Sequence, residues 1–386
     1  MNHTTRVAGF FAIFWLLGGF VSAAENPLDV HNPGSPRDQD QTFALVEELS
    51  IGGGEEEHQY FHRARDLAVD AKGRIYVLDG GFCRIDVFEP DGTYLRSIGR
   101  RGEGPGEMKP ATGLALDGAN QRIWVLDPLN KRLTAWTLEG LFLTSLPFHK
   151  PLSEQLLGTP EGALLVNYLY YREDLPYLLL ASYNSEGDRR DLIDLPRYGK
   201  STVRQEPGSP MRVTPFHPRH YFAVDRQGRL LHGFSGDYVL NVLDGEGQVL
   251  RRIRREAPRL EVSHEDREAF WARLRQRAAR RGSSVDLSQY KVPQWRQSFR
   301  GIWVDGQDRI WVRVLGLQEQ LHFDVFDNQG VYRHRVKLPL TIGGVRTATI
   351  FDRPVFAGPY LYSVVRTQDG EILVKRYRLQ TTRVTL

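Results

Sequence analysis

The chain of 386 residues contains one cysteine, Cys83, and three methionines. A lone thiol cannot close an internal disulfide, so packing and hydrogen bonding must hold the fold together. Charge of neither sign dominates, with 51 Lys and Arg against 47 Asp and Glu, and 41% of the residues are hydrophobic. This balance excludes a disordered chain. Apart from residues 7–24, no apolar run is long enough to span a bilayer, which excludes a multi-span membrane protein. No serine nucleophile elbow, phosphate-binding loop or cysteine-based site is present, so the usual nucleophile and nucleotide signatures are missing as well.

The one long apolar run stands at the start. Arg6 precedes Val7 to Ala24, a stretch that contains Phe10, Phe11, Ile13, Phe14, Trp15, Leu16 and Leu17 and ends in Ser22, Ala23 and Ala24. A basic start, an apolar centre and small residues before the cut predict a signal peptide over 1–24, cleaved after Ala23 or Ala24. An uncleaved anchor is the alternative, because 18 residues just reach across a bilayer. Residues 25–41 carry Pro27, Gly34, Pro33 and Pro36 among polar residues, the composition of a flexible linker.

Internal repetition carries the fold. Leu67 to Asp79 recurs as Leu114 to Asp127, as Phe222 to Leu231 and as Ile302 to Val312. Each copy is two short β-type runs joined by an Asp- and Gly-rich turn, followed by a third run and another Gly turn. Fainter copies over Gly158 to Asp194 and Pro354 to Leu379 bring the count to six. Six such sheets arranged radially give an all-β six-bladed β-propeller spanning 42–386. The last unit lacks its outer strand, and Phe43 to Ile51 is placed to supply it and clasp the two ends of the domain.

Asp127-Pro-Leu-Asn130-Lys-Arg132-Leu133 and Asp79-Gly-Gly-Phe-Cys-Arg84-Ile85 resemble the Asp, four residues, Arg, aliphatic signature of NHL repeats. Gly99 to Glu107 is similar to the glycine-rich approach to an NHL strand. The resemblance implies a TolB-like propeller of the secreted bacterial kind, hence a periplasmic or secreted location. Its relatives include protein and RNA binders, a peptide-amidating lyase and, on a related ring, metal-dependent lactonases, so the fold does not by itself assign an activity.

The turns after the first strands, such as Asp70 to Arg74 and Asp305 to Arg309, are tight, while the long connections collect on the other face. That face is the expected binding face. Its largest insertion, about 257–297 between blades four and five, holds one predicted helix. Ser263 is its N-cap, Gly282 its stop, and Phe270, Trp271, Leu274 and Ala278 form an apolar stripe meant for the propeller rim. The arginines Arg273, Arg275 and Arg277 read as a solvated face, and nucleic acid is not an expected partner.

Aligning the blades on the Asp that ends each first strand places His62, Lys109, His217 and Gln297 eight residues earlier, and Arg65, Thr112, His220 and Arg300 five residues earlier. His62, Arg65, Lys109, His217, His220 and Arg300 would form a cationic funnel rim for a carboxylate or phosphate, the alternative being unrelated surface residues. A second candidate is the aromatic loop of blade three, Tyr168, Tyr170, Tyr171, Arg172 and Tyr177, suited to a peptide or carbohydrate. Asp70, Asp117, Asp225 and Asp305 read as turn caps, and Asp79 with Arg84 and Asp127 with Arg132 as ion pairs within a blade. The leading expectation is a monomeric binding or scaffold module, without cofactor and without a membrane span once the leader is removed, that engages a protein, peptide or small anionic ligand on the long-loop face. The alternative is a metal-dependent lyase or hydrolase, lactonase-like or amidating-lyase-like, using zinc or calcium held by His62, His217 and His220.

Overall fold

The computed structural model describes residues 27–38, 41–54, 57–147, 152–172, 175–184, 186–196, 216–290, 292–314 and 320–383. The segment expected to be a signal peptide lies outside them. Among the described residues no helix is long and apolar enough to cross a membrane.

Six four-stranded antiparallel sheets follow one another along the chain. Their innermost strands are Ala64–Val69, Gly113–Asp117, Leu152–Gly158, His220–Val224, Phe299–Val304 and Val355–Ala357, and each sheet steps outward strand by strand from there. The sixth sheet is completed from the other end of the chain: Gln41–Ile51 pairs antiparallel with Ile372–Arg383, with Leu45 opposite Leu379 and Ile51 opposite Val374. This is the predicted clasp, and it closes the ring.

A blade cannot bury both its faces alone. Six apolar clusters therefore fill the six seams. That between blades one and two joins Leu78, Ile85 and Val87 to Met108, Ile123 and Trp136, and that between five and six joins Trp311 and Phe323 to Leu361 and Tyr377. The seam between blades three and four is the smallest, built from residues such as Leu165, Leu180, Phe222 and Leu230.

The tight turns of one face are made as expected. Asp70, Asp225 and Asp305 each accept the backbone N–H groups two and four residues on, and each binds the Nε of the arginine four residues on at 2.7 Å. The two expected pairs within blades turn out differently. The Asp79 carboxylate accepts the N–H groups of His62, Arg63, Gly81 and Phe82, while Arg84 binds Asp86 at 2.9 Å. Asp127 accepts from Lys109 and Asn130, and Arg132 donates to the carbonyls of Gly104 and Glu107. Both aspartates thus tether the chain that enters their own blade on the long-loop face.

Two expectations about the ends and the insertion need adjusting. Residues 25–41 are not simply a flexible linker, because Leu28–Asn32 adds a fifth, parallel strand outside Val249–Arg255 of blade four. Asn32 secures it: the buried side-chain amide donates to the carbonyls of Gly330 and Arg254 and its Oδ1 accepts the N–H of Tyr332. The insertion helix is His264–Ala279 with Ser263 as N-cap in a capping box, as predicted. Its stripe is only half-buried: Phe270 meets Phe216 at 6.0 Å, and Trp271 meets Tyr290 at 5.7 Å.

Candidate functional site

On the long-loop face, where blades four, five and six meet, a cavity of about 280 Å³ is lined by Arg219, His220, Tyr221, Arg300, Arg313 and Arg353, with Trp303 and Phe351 as apolar wall. Arg219 immediately precedes the first strand of blade four, His220 and Tyr221 open it, and Arg300 is the second residue of the first strand of blade five. Arg313 comes from the neighbouring strand Ile310–Val314, and Arg353 follows the short helix Thr347–Ile350. A β-bulge aims Arg300. Phe299 pairs with Val314 and Ile302 with Val312, so Arg300 and Gly301 together face Arg313. A bulge turns side chains out of the regular alternation. The same irregularity falls at Arg65 in blade one, between Ala64 and Asp66.

Cations dominate the electrostatics, with Asp352 the one carboxylate in the cavity lining. Burial lowers the pKa of the Arg300 guanidinium, and the cations of Arg313, Arg296 and Arg219 lower it further. Burial also lowers that of Arg313, opposed by the charge of Asp352. Among the described residues neither has an ion-pair partner within 4.0 Å, and the Arg300 Nε is buried without an acceptor. The Tyr221 phenol is pushed up by burial while Arg219, Arg300 and Arg313 all pull it down, which places its hydroxyl in the field of three cations.

Asp66 stands beside this cluster, at the mouth of the central channel. It accepts the N–H of Leu67 and, across the blade boundary, of Leu114, both at 3.1 Å, and lies 3.8 Å from Arg353. Burial pushes its carboxyl up to about 6 against the pull of Arg353 and of both N–H groups. Arg353 also donates to the carbonyl of Thr112 at 2.9 Å.

The sequence candidates separate. His220 and Arg300 reach the cavity, and Arg65 stands in the field of Arg353. His62 is an exposed ring near Phe82 at 5.6 Å, Lys109 pairs with Glu103 at 2.5 Å, and His217 is 2% exposed. They do not make a continuous rim, because Asp79 and Asp127 hold the chain at His62 and Lys109 down in their own blades. Nor do His62, His217 and His220 come together as metal ligands: among the described residues no group of three or more His, Cys, Asp or Glu side chains could hold an ion. His220 Nε2 donates to the carbonyl of Pro196 at 3.1 Å, which leaves its Nδ1 to accept from His232 Nε2 at 2.8 Å. Burial keeps this stacked pair neutral and pushes His232 down to about 3.

The aromatic candidate is a self-contained hairpin on Leu164–Arg172 and Leu175–Tyr183. Tyr168 is buried, its hydroxyl 2.5 Å from that of Tyr183. Tyr170 donates to Asp194 at 2.6 Å, and Arg172 donates to Tyr170 and Asp194 while lying 4.5 Å over the Tyr177 ring. The polar tips of Tyr168, Tyr170 and Arg172 are thus bound within the blade; the Tyr171 side chain lies outside the described residues.

The family model DUF5128, described as a 6-bladed beta-propeller, matches residues 66–172. The chain is a six-bladed β-propeller in its structure, and the family match over residues 66–172 agrees with that fold. Among solved structures, a DUF4221-family member from Bacteroides vulgatus superposes with a TM-score of 0.54 at 14% identity, covering 89% of this chain and 99% of that one. A Bacteroides fragilis protein provisionally described as exported gives 0.52 at 11% identity, over 91% and 99%. A virginiamycin B lyase from Staphylococcus aureus gives 0.45 at 11%, over 88% and 100%. These likenesses concern the fold. A search of curated proteins by sequence finds no match.

Proposed function

We propose that this six-bladed propeller is an exported binding module that captures an anionic small molecule between Arg219, Arg300, Arg313 and Arg353. The observation that carries the reading is the pair Arg300 and Arg313, partly desolvated, adjacent, and without an ion pair within 4.0 Å among the described residues, with Asp352 the one carboxylate in the cavity lining. Four arginines line the cavity against the single carboxylate of Asp352, so an excess of positive charge is held partly out of water at a cost in free energy. A carboxylate or phosphate in the cavity relieves it, and guanidinium forks bind either group bidentately. Export is supported by the leader-like residues 1–24 and by the likeness of the fold to a protein provisionally described as exported.

Thermal unfolding at low ionic strength, with phosphate, sulfate and citrate titrated in turn, tests the reading. At least one anion should raise the midpoint of the unmodified chain and leave that of Arg300→Ala and Arg313→Ala unmoved. No shift with any of the three, or equal shifts in the variants, would defeat it.

A further inference from the structure

The arginine cavity is not closed at its inner end. Phe222, Ile302, Trp303 and Arg353 line both this cavity and the central channel of about 360 Å³. On the channel side Val69, Leu116, Leu157, Val224 and Val304 present half-buried aliphatic side chains, and Asp66, Gln155 and Asp352 stand on the same wall. Trp303 forms the step between the two spaces. Its ring lies against Gly301, where a Cβ would come within 2.3 Å of it, and it is backed by Phe351 at 5.7 Å and Phe323 at 6.2 Å. A half-buried indole fixed in this way presents a firm apolar edge between the arginine cavity and the aliphatic side chains of the channel wall.

We infer that the ligand is an amphipathic anion, whose charged head binds Arg300 and Arg313 and whose apolar body passes Trp303 into the channel. The inference rests on the anion-binding reading above and adds the body to the head. A small hydrophilic anion would use the arginines and leave the aliphatic wall wetted. An uncharged apolar ligand would use the wall and leave the guanidinium groups unrelieved. Size agrees: the arginine cavity alone falls just below the roughly 300–1,000 Å³ of small-molecule sites, and joined to the channel it comes within that range.

The probes are inorganic phosphate, ethyl, butyl and hexyl phosphate, hexanoate and hexanol, titrated calorimetrically into the unmodified chain. Affinity should climb by about fourfold for each methylene that enters the channel, hexanol should bind far more weakly than hexyl phosphate, and hexanoate should tell whether a carboxylate head serves as well. Arg313→Ala should lower the affinity of every phosphate, whereas Trp303→Ala should flatten the climb and leave inorganic phosphate as it was. Because Trp303 also packs on Phe323 and Phe351, the chain-length series decides even where that variant folds poorly. Equal affinities for inorganic and hexyl phosphate would overturn the inference while sparing the anion site. Hexanol binding as tightly as hexyl phosphate would overturn it too, and no binding of any anion would overturn the anion reading along with it.

Discussion

The two faces of this ring use the same side-chain types for opposite ends. On the tight-turn face, Asp70, Asp225 and Asp305 each hold an arginine four residues on at 2.7 Å, and the carboxylate caps its turn at the same time. On the long-loop face, Arg300 and Arg313 stand side by side with no such partner among the described residues. Paired charges that also satisfy backbone N–H groups hold the blade together. Unpaired, desolvated charges subtract from stability, and that deficit is what a ligand can recover.

The most damaging test of this contrast exchanges one residue on each face. Asp305 accepts from the N–H groups of Gln307 and Arg309, from the Arg309 guanidinium and from the Trp311 indole, and is 4% exposed. Asp305→Ala strands several donors, at about 1–3 kcal/mol for each one left buried and unsatisfied, so the chemical-denaturation midpoint should fall sharply while anion affinity in the remaining folded protein stays the same. Arg313→Ala should do the reverse, holding or raising the midpoint and weakening anion binding by about 10- to 100-fold, the worth of a charge-assisted hydrogen bond. If both variants lost stability alike, the faces would not differ in kind.

A smaller effect comes from the neutral pair His220 and His232 beside the cavity. His232 in the folded chain titrates at about 3, against about 6.5 when unfolded. The folded pKa is the lower one, so below pH 6.5 the unfolded chain takes up the proton and stability falls as pH drops, by about 1.4 kcal/mol per unit for this group. His232→Phe removes that slope. Urea unfolding at pH 7.5 and pH 5.0 should show the variant gaining about 2 kcal/mol on the parent over the interval; a constant difference would mean that the imidazole is not held neutral.

The contrast between faces also explains what could be read from the sequence. The tight-turn face was legible because its chemistry is local: an Asp, a Gly and an Arg within five residues define each turn, and four clear copies fix the register. The register five residues ahead of that Asp includes His220 and Arg300, which line the cavity, and Arg65, which stands in the field of Arg353. It missed Arg353 because blade six carries Gly358 where four of the other blades carry Asp, and from Gly358 the same count falls on Arg353. Arg313 gave no signal at all, since it sits on a second strand between Val312 and Val314, outside the register counted from the turn Asp. Leu28–Asn32 was unreadable for a similar reason: its partner strand lies more than 200 residues away, and nothing local marks the pairing. Tyr168 misled in the other direction, because alternation along its strand turns that ring into the seam between blades two and three.

The smallest effect is expected at the tyrosine hairpin, where arginine is neither a turn partner nor an unpaired cation. Arg172 is more than half exposed and forms its ion pair with Asp194 in water. Exposed pairs gain little, because solvent screens them and ordering two long side chains costs entropy. Arg172→Ala should therefore leave the melting temperature within about one degree and the anion affinity unchanged. A loss of anion affinity in this variant would mean that the hairpin, and not the arginine cavity, receives the ligand, and the division between paired and unpaired faces would then have to be redrawn around blade three.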